Sequence, residues 1–347
     1  MKHIELSARE ARFIRAGVAL APYTTFKIGG NADFFAEVTH TDELREAFLF
    51  AHTHTLPIFI LGGGTNLLVA DEGFRGLIVH VHVRGITYAD EHTLTVGAGE
   101  SLDDVVRYAT LHGLWGIENL SAIPGTIGGA AVQNAGAYGV EIASGIKNIE
   151  VYDTLTNELR TLSPAECQYG YRDSIFKTDE GKRFVIVHIT LALSTRPKPQ
   201  FSYKDLAAVF PEGSASLEEI RAAVVNIRAA KFPDLKQYGT AGSFFKNPVI
   251  SGEEYAVLQE KYPLLPGHTQ GDGMIKIPIA WILDNVLAMR GVREGDIGAW
   301  EAQPLVLTNY GHATARDVDA FAQKIAQDVY EAAGIEIERE VIQVSGI

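Results

Sequence analysis

Two stretches of this chain carry chemistry through what they leave out. In LGGGTN (61–66) three glycines follow directly on an apolar run, and in IPGTIGGAAVQNAGAYG (123–139) five of seventeen residues are glycine and four are alanine. Glycine admits positive φ and lets backbone N–H groups approach an anion closely. Neither stretch reads G-x-G-x-x-G or G-x-x-x-x-G-K-[ST], so neither is a standard Rossmann or P-loop site. Two bare, amide-rich loops suit a large ligand with a pyrophosphate, with Gln133 and Asn134 as polar handles. A pair of tight turns packed on each other is the alternative reading. Arg172 in YGYRDSIFK (169–177) offers a fork suited to a carboxylate, or else a surface pair with Asp173. Ser243 in AGSFFKNP (241–248) has space beside it at Gly242, yet a lone serine in such a place usually serves its own turn. His80 and His82 alternate in VHVHV and share a strand face, but no third residue has metal-ligand spacing.

The elements that must position these residues follow from periodicity. DFFAEV (33–38), LPIFIL (56–61), GLIVHVHV (76–83), LTVGAG (94–99) and RFVIVHITLAL (183–193) read as strands. NIEVYDTLTNELRTL (148–162) reads as strand, polar turn and strand. Helical spacing marks 41–54, 100–113 (with Ser101 near its start), 216–231, 251–261, 279–288 and 314–333. PLVLTN and IEIEREVIQV read as strands near the end of the chain. Prolines and charge in STRPKPQFSYKD (194–205) mark a loop or boundary.

The 347 residues suggest two or three domains, with material for a buried core. A net charge of −13 repels a phosphate backbone, so no nucleic-acid partner is expected, and an anionic ligand needs a deliberate local site. A single cysteine, Cys167, leaves no internal disulfide and suits a reducing compartment. The opening MKHIELSAREARFIRAG lacks a signal-peptide core and no run approaches eighteen apolar residues. The expectation is a cytoplasmic protein with no membrane partner.

Taken in chain order, YTTFKIGG (23–30), LGGGTNLL (61–68), IPGTIGGAAVQNAGAYG, YGYRDSIFK, IRAAKFPDL (227–235), AGSFFKNP and REVIQVSG (339–346) resemble the UDP-N-acetylenolpyruvoylglucosamine reductase family. That family lies within the wider vanillyl-alcohol oxidase (PCMH) type of FAD protein, and the ordered set spans nearly the whole chain. The resemblance implies an α+β fold with a two-part FAD-binding unit of that type. Its parts would be 1–75, with strand 334–347 returning to it, and 76–210. A C-terminal α+β substrate-binding domain would occupy 215–333.

The resemblance also implies a reaction. NADPH reduces FAD, which passes hydride to the enolpyruvyl ether of a UDP-sugar, making UDP-N-acetylmuramate for peptidoglycan. Ser243 would be the proton donor, Arg172 would face the substrate carboxylate, and Glu340 would help to stabilise the intermediate. FAD would lie along Ile28, Gly29, Gly62, Gly63, Gly64, Thr65, Asn66 and Leu67, then along Ser121, Ile123, Pro124, Gly125, Thr126, Gly128, Gly129, Ala130, Asn134, Gly136, Ala137 and Tyr138. Substrate would meet Tyr171, Lys231, Asn247 and Gln303, with Tyr203 of FSYKDL (201–206) covering the nucleotide as in one branch of the family. Some relatives in the wider superfamily attach FAD through a histidine just after the glycine loop. Thr65 and Asn66 stand there, so the flavin is expected to be non-covalent. Many family members carry Pro before the glutamate and Arg two residues after it, whereas this chain has Arg339 and Ile342. On the strand expected there, Glu336 and Glu338 share the face of Glu340. A monomer is expected. The rivals are a flavoprotein of the wider type acting on another small molecule, and a non-catalytic nucleotide sensor that kept the scaffold.

Overall fold

The computed structural model describes residues 4–345. The ends of the expected parts 1–75 and 334–347, and Gly346 of the last motif, therefore lie outside the described residues. The chain forms two compact units. The first takes in the chain up to Val18, Ala32–Gly63 and Arg75–Arg228, and the second takes in Ala19–Asn31, Gly64–Phe74 and the chain from Ala229 onward.

The first unit is built on two sheets. One runs in the order Ile14–Ala19, Asn31–Val38, Phe74–Val81, Ile58–Leu61, and its last two strands are parallel. The other is a five-stranded antiparallel sheet in the order Glu158–Leu162, Ile146–Asp153, Phe184–Ala192, Thr93–Gly97, Ile86–Asp90. Helix α1 (Thr41–His54) buries Leu44, Ala47, Phe50 and Ala51. Of Leu44, Phe48 and Leu49, whose spacing marks the helix in the sequence, Leu44 is buried, Phe48 half-buried and Leu49 exposed. Its cap is His40, with Glu43 closing a capping box. Helix α2 (Leu102–Leu111) is capped by Ser101 and buries Val105, Val106 and Ala109.

The second glycine run is not wholly loop. It contains helix α3 (Ile127–Gln133), capped by the Thr126 hydroxyl and ended by Asn134 in the left-handed region. Helix α4 (Lys204–Val209) follows the proline-rich stretch, and helix α5 (Leu217–Lys231) buries Leu217, Ile220 and Val224. These pack with Trp115, Tyr138 and Leu206 in a separate small core.

In the second unit, Gly239–Ser243, Val306–Asn309, Ile297–Ala299 and Arg293–Glu294 form an antiparallel sheet in that order. The unit also holds a three-stranded sheet in the order Val249–Ser251, Met274–Lys276, His268–Thr269. With it are helices α6 (Gly252–Lys261), α7 (Ile279–Asn285) and α8 (Ala315–Ala333), α6 and α8 each starting from a capping box. Helix α7 stops at Asn285, short of the expected 288, where Ala288 takes φ +50°. The expected strand IEIEREVIQV shrinks to Ile342–Val344, which pairs in parallel with Leu67–Val69. Residues 335–341 form no regular strand, so Glu336, Glu338 and Glu340 do not line one pleated face. Among the described residues, no helix is long and apolar enough to cross a membrane.

Candidate active site

The two glycine loops meet within the first unit. A Cβ at Gly63 would stand 2.6 Å from the Gly125 Cα, and one at Gly62 would stand 2.9 Å from the Thr126 hydroxyl. Other bare positions have similar internal causes. A Cβ at Gly128 would press on the Ala98 carbonyl at 2.8 Å, and one at Gly139 would meet the Ser202 hydroxyl at 2.6 Å. Gly64, in the second unit, lies against the Tyr23 carbonyl. These glycines are small because protein backbone or a neighbouring loop is close, as the packed-turn reading expected.

Gly129 differs. It is exposed, its amide donates to the Thr126 hydroxyl at 3.2 Å, and a Cβ there would meet only that hydroxyl, at 3.4 Å. The first turn of α3 therefore presents a bare backbone face outward. Within the second glycine run, the absent side chain at Gly129 leaves room for a cofactor to lie against the backbone.

The polar handles behave unequally. Asn134 is 1% exposed. Its amide donates to the Glu141 carboxylate and the Gly170 carbonyl, both at 2.8 Å, and its oxygen accepts from the Ala143 amide. These hydrogen bonds brace the loop from inside. Ser121 is also buried, its hydroxyl donating to the Glu118 carbonyl at 2.6 Å.

Arg172 sits at the tip of a tight turn closed by mutual backbone bonds between Gly170 and Asp173. Its φ of +53° is uncommon for a side-chain-bearing residue. Lys177 donates to its carbonyl at 2.6 Å and steadies that conformation. The guanidinium donates to the Gly136 carbonyl at 2.8 Å, which sets the fork beside the second glycine run. Tyr171 lies under it, 5.6 Å from ring centroid to guanidinium carbon. Tyr203 is 45% exposed and packs edge-on against Tyr138, centroids 5.2 Å apart.

In the second unit, Ser243 ends the strand Gly239–Ser243. Gly242 takes φ +78° and donates to the Thr240 hydroxyl, and the pairing with Val306–Asn309 slips between Thr240 and Ser243. An irregularity of this kind re-aims the next side chain, and Phe244 and Phe245 lock it by burying both rings. The segment 338–340 runs beside 244–246: the Lys246 amide donates to the Glu338 carbonyl and the Glu340 amide to the Phe244 carbonyl. Glu340 is thus tied one residue from Ser243. Lys246 pairs with the Glu338 carboxylate at 2.9 Å, a contact that holds that carboxyl below its usual range.

Asn66 donates from its side chain to the Glu340 carbonyl at 3.1 Å and accepts the Ile342 amide on its backbone. It anchors the glutamate's segment. Asn247 accepts the Ile279 amide at 3.1 Å, at the start of α7. Lys231 closes α5, and Gln303 lies in the turn before Val306–Asn309. The rings of His80 and His82 lie side by side, centroids 5.4 Å apart, as alternation predicts. Among the described residues, no cluster of three His, Cys, Asp or Glu is placed to hold a metal.

The sequence reading passed over three charged residues beneath the second loop. Asp103 on α2 accepts both guanidinium nitrogens of Arg221, at 2.6 and 2.9 Å, and also the Ala122 amide at 2.6 Å. Arg228 donates to the Ala122 carbonyl at 3.0 Å. The seven-residue interval between Arg221 and Arg228 puts both on one face of α5, a signal the sequence did contain.

Residues 32–162 match the family model described as FAD binding domain, and residues 234–344 match the one described as UDP-N-acetylenolpyruvoylglucosamine reductase, C-terminal domain. Proteins named UDP-N-acetylenolpyruvoylglucosamine reductase are similar along almost their whole length. The one from Neisseria gonorrhoeae is 39% identical over 335 residues, covering 94% of this chain and 96% of that protein. The one from Pseudomonas syringae pv. tomato is 36% identical over 334 residues, covering 94% and 98%. The solved reductase of Thermus caldophilus is 26% identical with a TM-score of 0.69, covering 96% of this chain and all of that one.

Proposed function

Because the chain belongs to the UDP-N-acetylenolpyruvoylglucosamine reductase family, we propose that Ser243, Arg172 and Glu340 carry its chemistry. The protein is an FAD-dependent oxidoreductase that reduces the enolpyruvyl ether of UDP-N-acetylglucosamine to UDP-N-acetylmuramate, with NADPH as hydride donor, in peptidoglycan synthesis. Bound FAD supplies the hydride relay that side chains cannot. The bare face at Gly129 and the loop backbone around Gly62, Gly63 and Gly125 would hold it.

What remains for the side chains is charge and a proton. Hydride arriving at the β-carbon drives negative charge onto the α-carbon and the carboxylate. Arg172 holds that carboxylate with its fork, and Ser243 delivers the proton to the α-carbon. Glu340 helps to stabilise the intermediate. The backbone pairing of 244–246 with 338–340 carries this reading, because it ties Glu340 to the segment that presents Ser243. Tyr171, Tyr203, Lys231, Asn247 and Gln303 are assigned to the UDP-sugar. The same reading makes the enzyme a cytoplasmic monomer, which gel filtration of the flavin-loaded protein tests.

Two outcomes follow. Acid precipitation releases intact FAD into the supernatant, because Thr65 and Asn66 offer no attachment histidine. Flavin that stays with the pellet overturns the non-covalent assignment. Arg172→Lys keeps the charge and loses the fork. Rapid mixing should show near-normal flavin reduction by NADPH, while reoxidation by substrate slows roughly 10- to 100-fold, the worth of one charge-assisted hydrogen bond. Unchanged reoxidation in Arg172→Ala removes the arginine from the mechanism.

A further inference from the structure

We propose that Asp103 is a positioning residue for the flavin cradle, acting through the left-handed turn at Ala122. The inference rests on the FAD reading above. Ala122 takes φ +57°, a conformation that disfavours alanine and is free for glycine. The turn leads straight into Ile123–Thr126, the strip of backbone that opens the second loop. Charged side chains hold both polar groups of Ala122: its N–H donates to Asp103 at 2.6 Å and its carbonyl accepts from Arg228 at 3.0 Å.

Asp103 is itself held. The Arg221 fork grips both of its oxygens, and the Arg221 side chain is only 17% exposed. Burial pushes the Asp103 carboxyl up, but the hydrogen bonds from Arg221 and Ala122 outweigh it and keep the group below its usual range, so it accepts as a carboxylate. Backbone bonds fasten the residues that follow: the Leu102 amide to the Gly125 carbonyl at 2.9 Å, the Ile127 amide to the Glu100 carbonyl at 2.8 Å and the Gly128 amide to the Ala98 carbonyl at 2.9 Å. Ala122 is the point where charged side chains hold the backbone that enters the loop. Nothing in its own chemistry favours its left-handed conformation.

The test is FAD affinity, measured by fluorescence titration of flavin-free protein, with a thermal melt of each variant. Arg221→Met accompanies every change at 103, so that no unpaired guanidinium is left buried. Asp103→Leu with Arg221→Met should weaken FAD binding about 10- to 100-fold, the range of one hydrogen bond to a charged group. Adding Ala122→Gly should restore affinity to within about 3-fold, since glycine adopts the turn unaided. Asp103→Asn with Arg221→Met keeps an acceptor for the Ala122 amide and should bind FAD nearly as the wild type does. If the leucine variant binds normally, or if glycine at 122 fails to rescue it, the proposal is overturned. A weakened asparagine variant overturns it too, by assigning the effect to the ion pair, and this arm stands even if the leucine variant does not fold. Wild-type protein that takes up no FAD contradicts the cofactor reading instead.

Discussion

Ser243→Ala is expected to leave reduction of the flavin by NADPH within a few-fold of wild type, and to slow the substrate half-reaction by roughly 10²–10⁴. That is about 3–5 kcal/mol of barrier. The separation arises because hydride arrives at one carbon and a proton at its neighbour, so only the second half needs an acid. The structure makes the substitution a clean probe. Ser243 stands at a strand end fixed by the Gly242 turn and by two buried phenylalanines, and it is only partly buried itself. Removing one oxygen there leaves those anchors in place. Ser243→Cys should recover part of the rate, since a thiol donates from nearly the same position. Equal slowing of both halves would mean that Ser243 shapes the site without donating the proton.

Gly129→Leu should fold and yet purify without flavin, its affinity for FAD lower by about 100-fold or more, roughly 3 kcal/mol. The backbone at Gly129 does not need glycine: it is helical and exposed, and an added Cβ would meet only the Thr126 hydroxyl, at 3.4 Å. A leucine side chain would project over the bare face that the cofactor needs. Gly63→Ala and Gly128→Ala should behave in the opposite way. Each new Cβ would be driven into backbone, at 2.6 Å from Gly125 and 2.8 Å from the Ala98 carbonyl, so the loss should appear as fold stability of about 1–3 kcal/mol. Flavin absorbance per protein and the melting temperature of the flavin-free form separate the two effects. A Gly129→Leu protein that stays yellow would place the ligand elsewhere.

Legibility in the sequence followed the strength of local periodicity. Helix α1 has the expected bounds, and its buried stripe runs from Leu44 to Ala51. Helix α3 was hidden, since seven residues with two adjacent glycines and two alanines carry no amphipathic stripe. The β-like alternation of IEIEREVIQV was misleading: only Ile342–Val344 finds a strand partner, and 338–340 is held by two backbone bonds to a segment nearly a hundred residues earlier. Long-range pairing of that sort leaves no local pattern.

The glycines were the reverse case. Their density announced a close approach, but whether a ligand or the protein's own backbone did the approaching depended on which loops meet. Asn134 looked like a handle, and its side chain braces the loop from inside through partners that only the fold brings close. The motifs around Arg172, Ser243 and Glu340 were visible through family resemblance. The left-handed turns at Arg172 and Gly242 that orient two of them were not. Arginine almost never announces a positive φ, and the slipped pairing at Ser243 depends on Val306–Asn309.

The central claim is that this chain passes hydride from NADPH through FAD to an enolpyruvyl UDP-sugar. The direct measurement is flavin absorbance of the purified protein, held anaerobically. Adding NADPH should bleach the oxidised flavin band, and adding UDP-N-acetyl-3-O-(1-carboxyvinyl)-glucosamine should restore it, with one UDP-N-acetylmuramate formed per flavin reoxidised. UDP-N-acetylglucosamine, which lacks the enolpyruvyl group, should restore nothing. A flavin that bleaches and stays bleached with the enolpyruvyl substrate, or that is reoxidised equally by the unmodified sugar, would contradict the account.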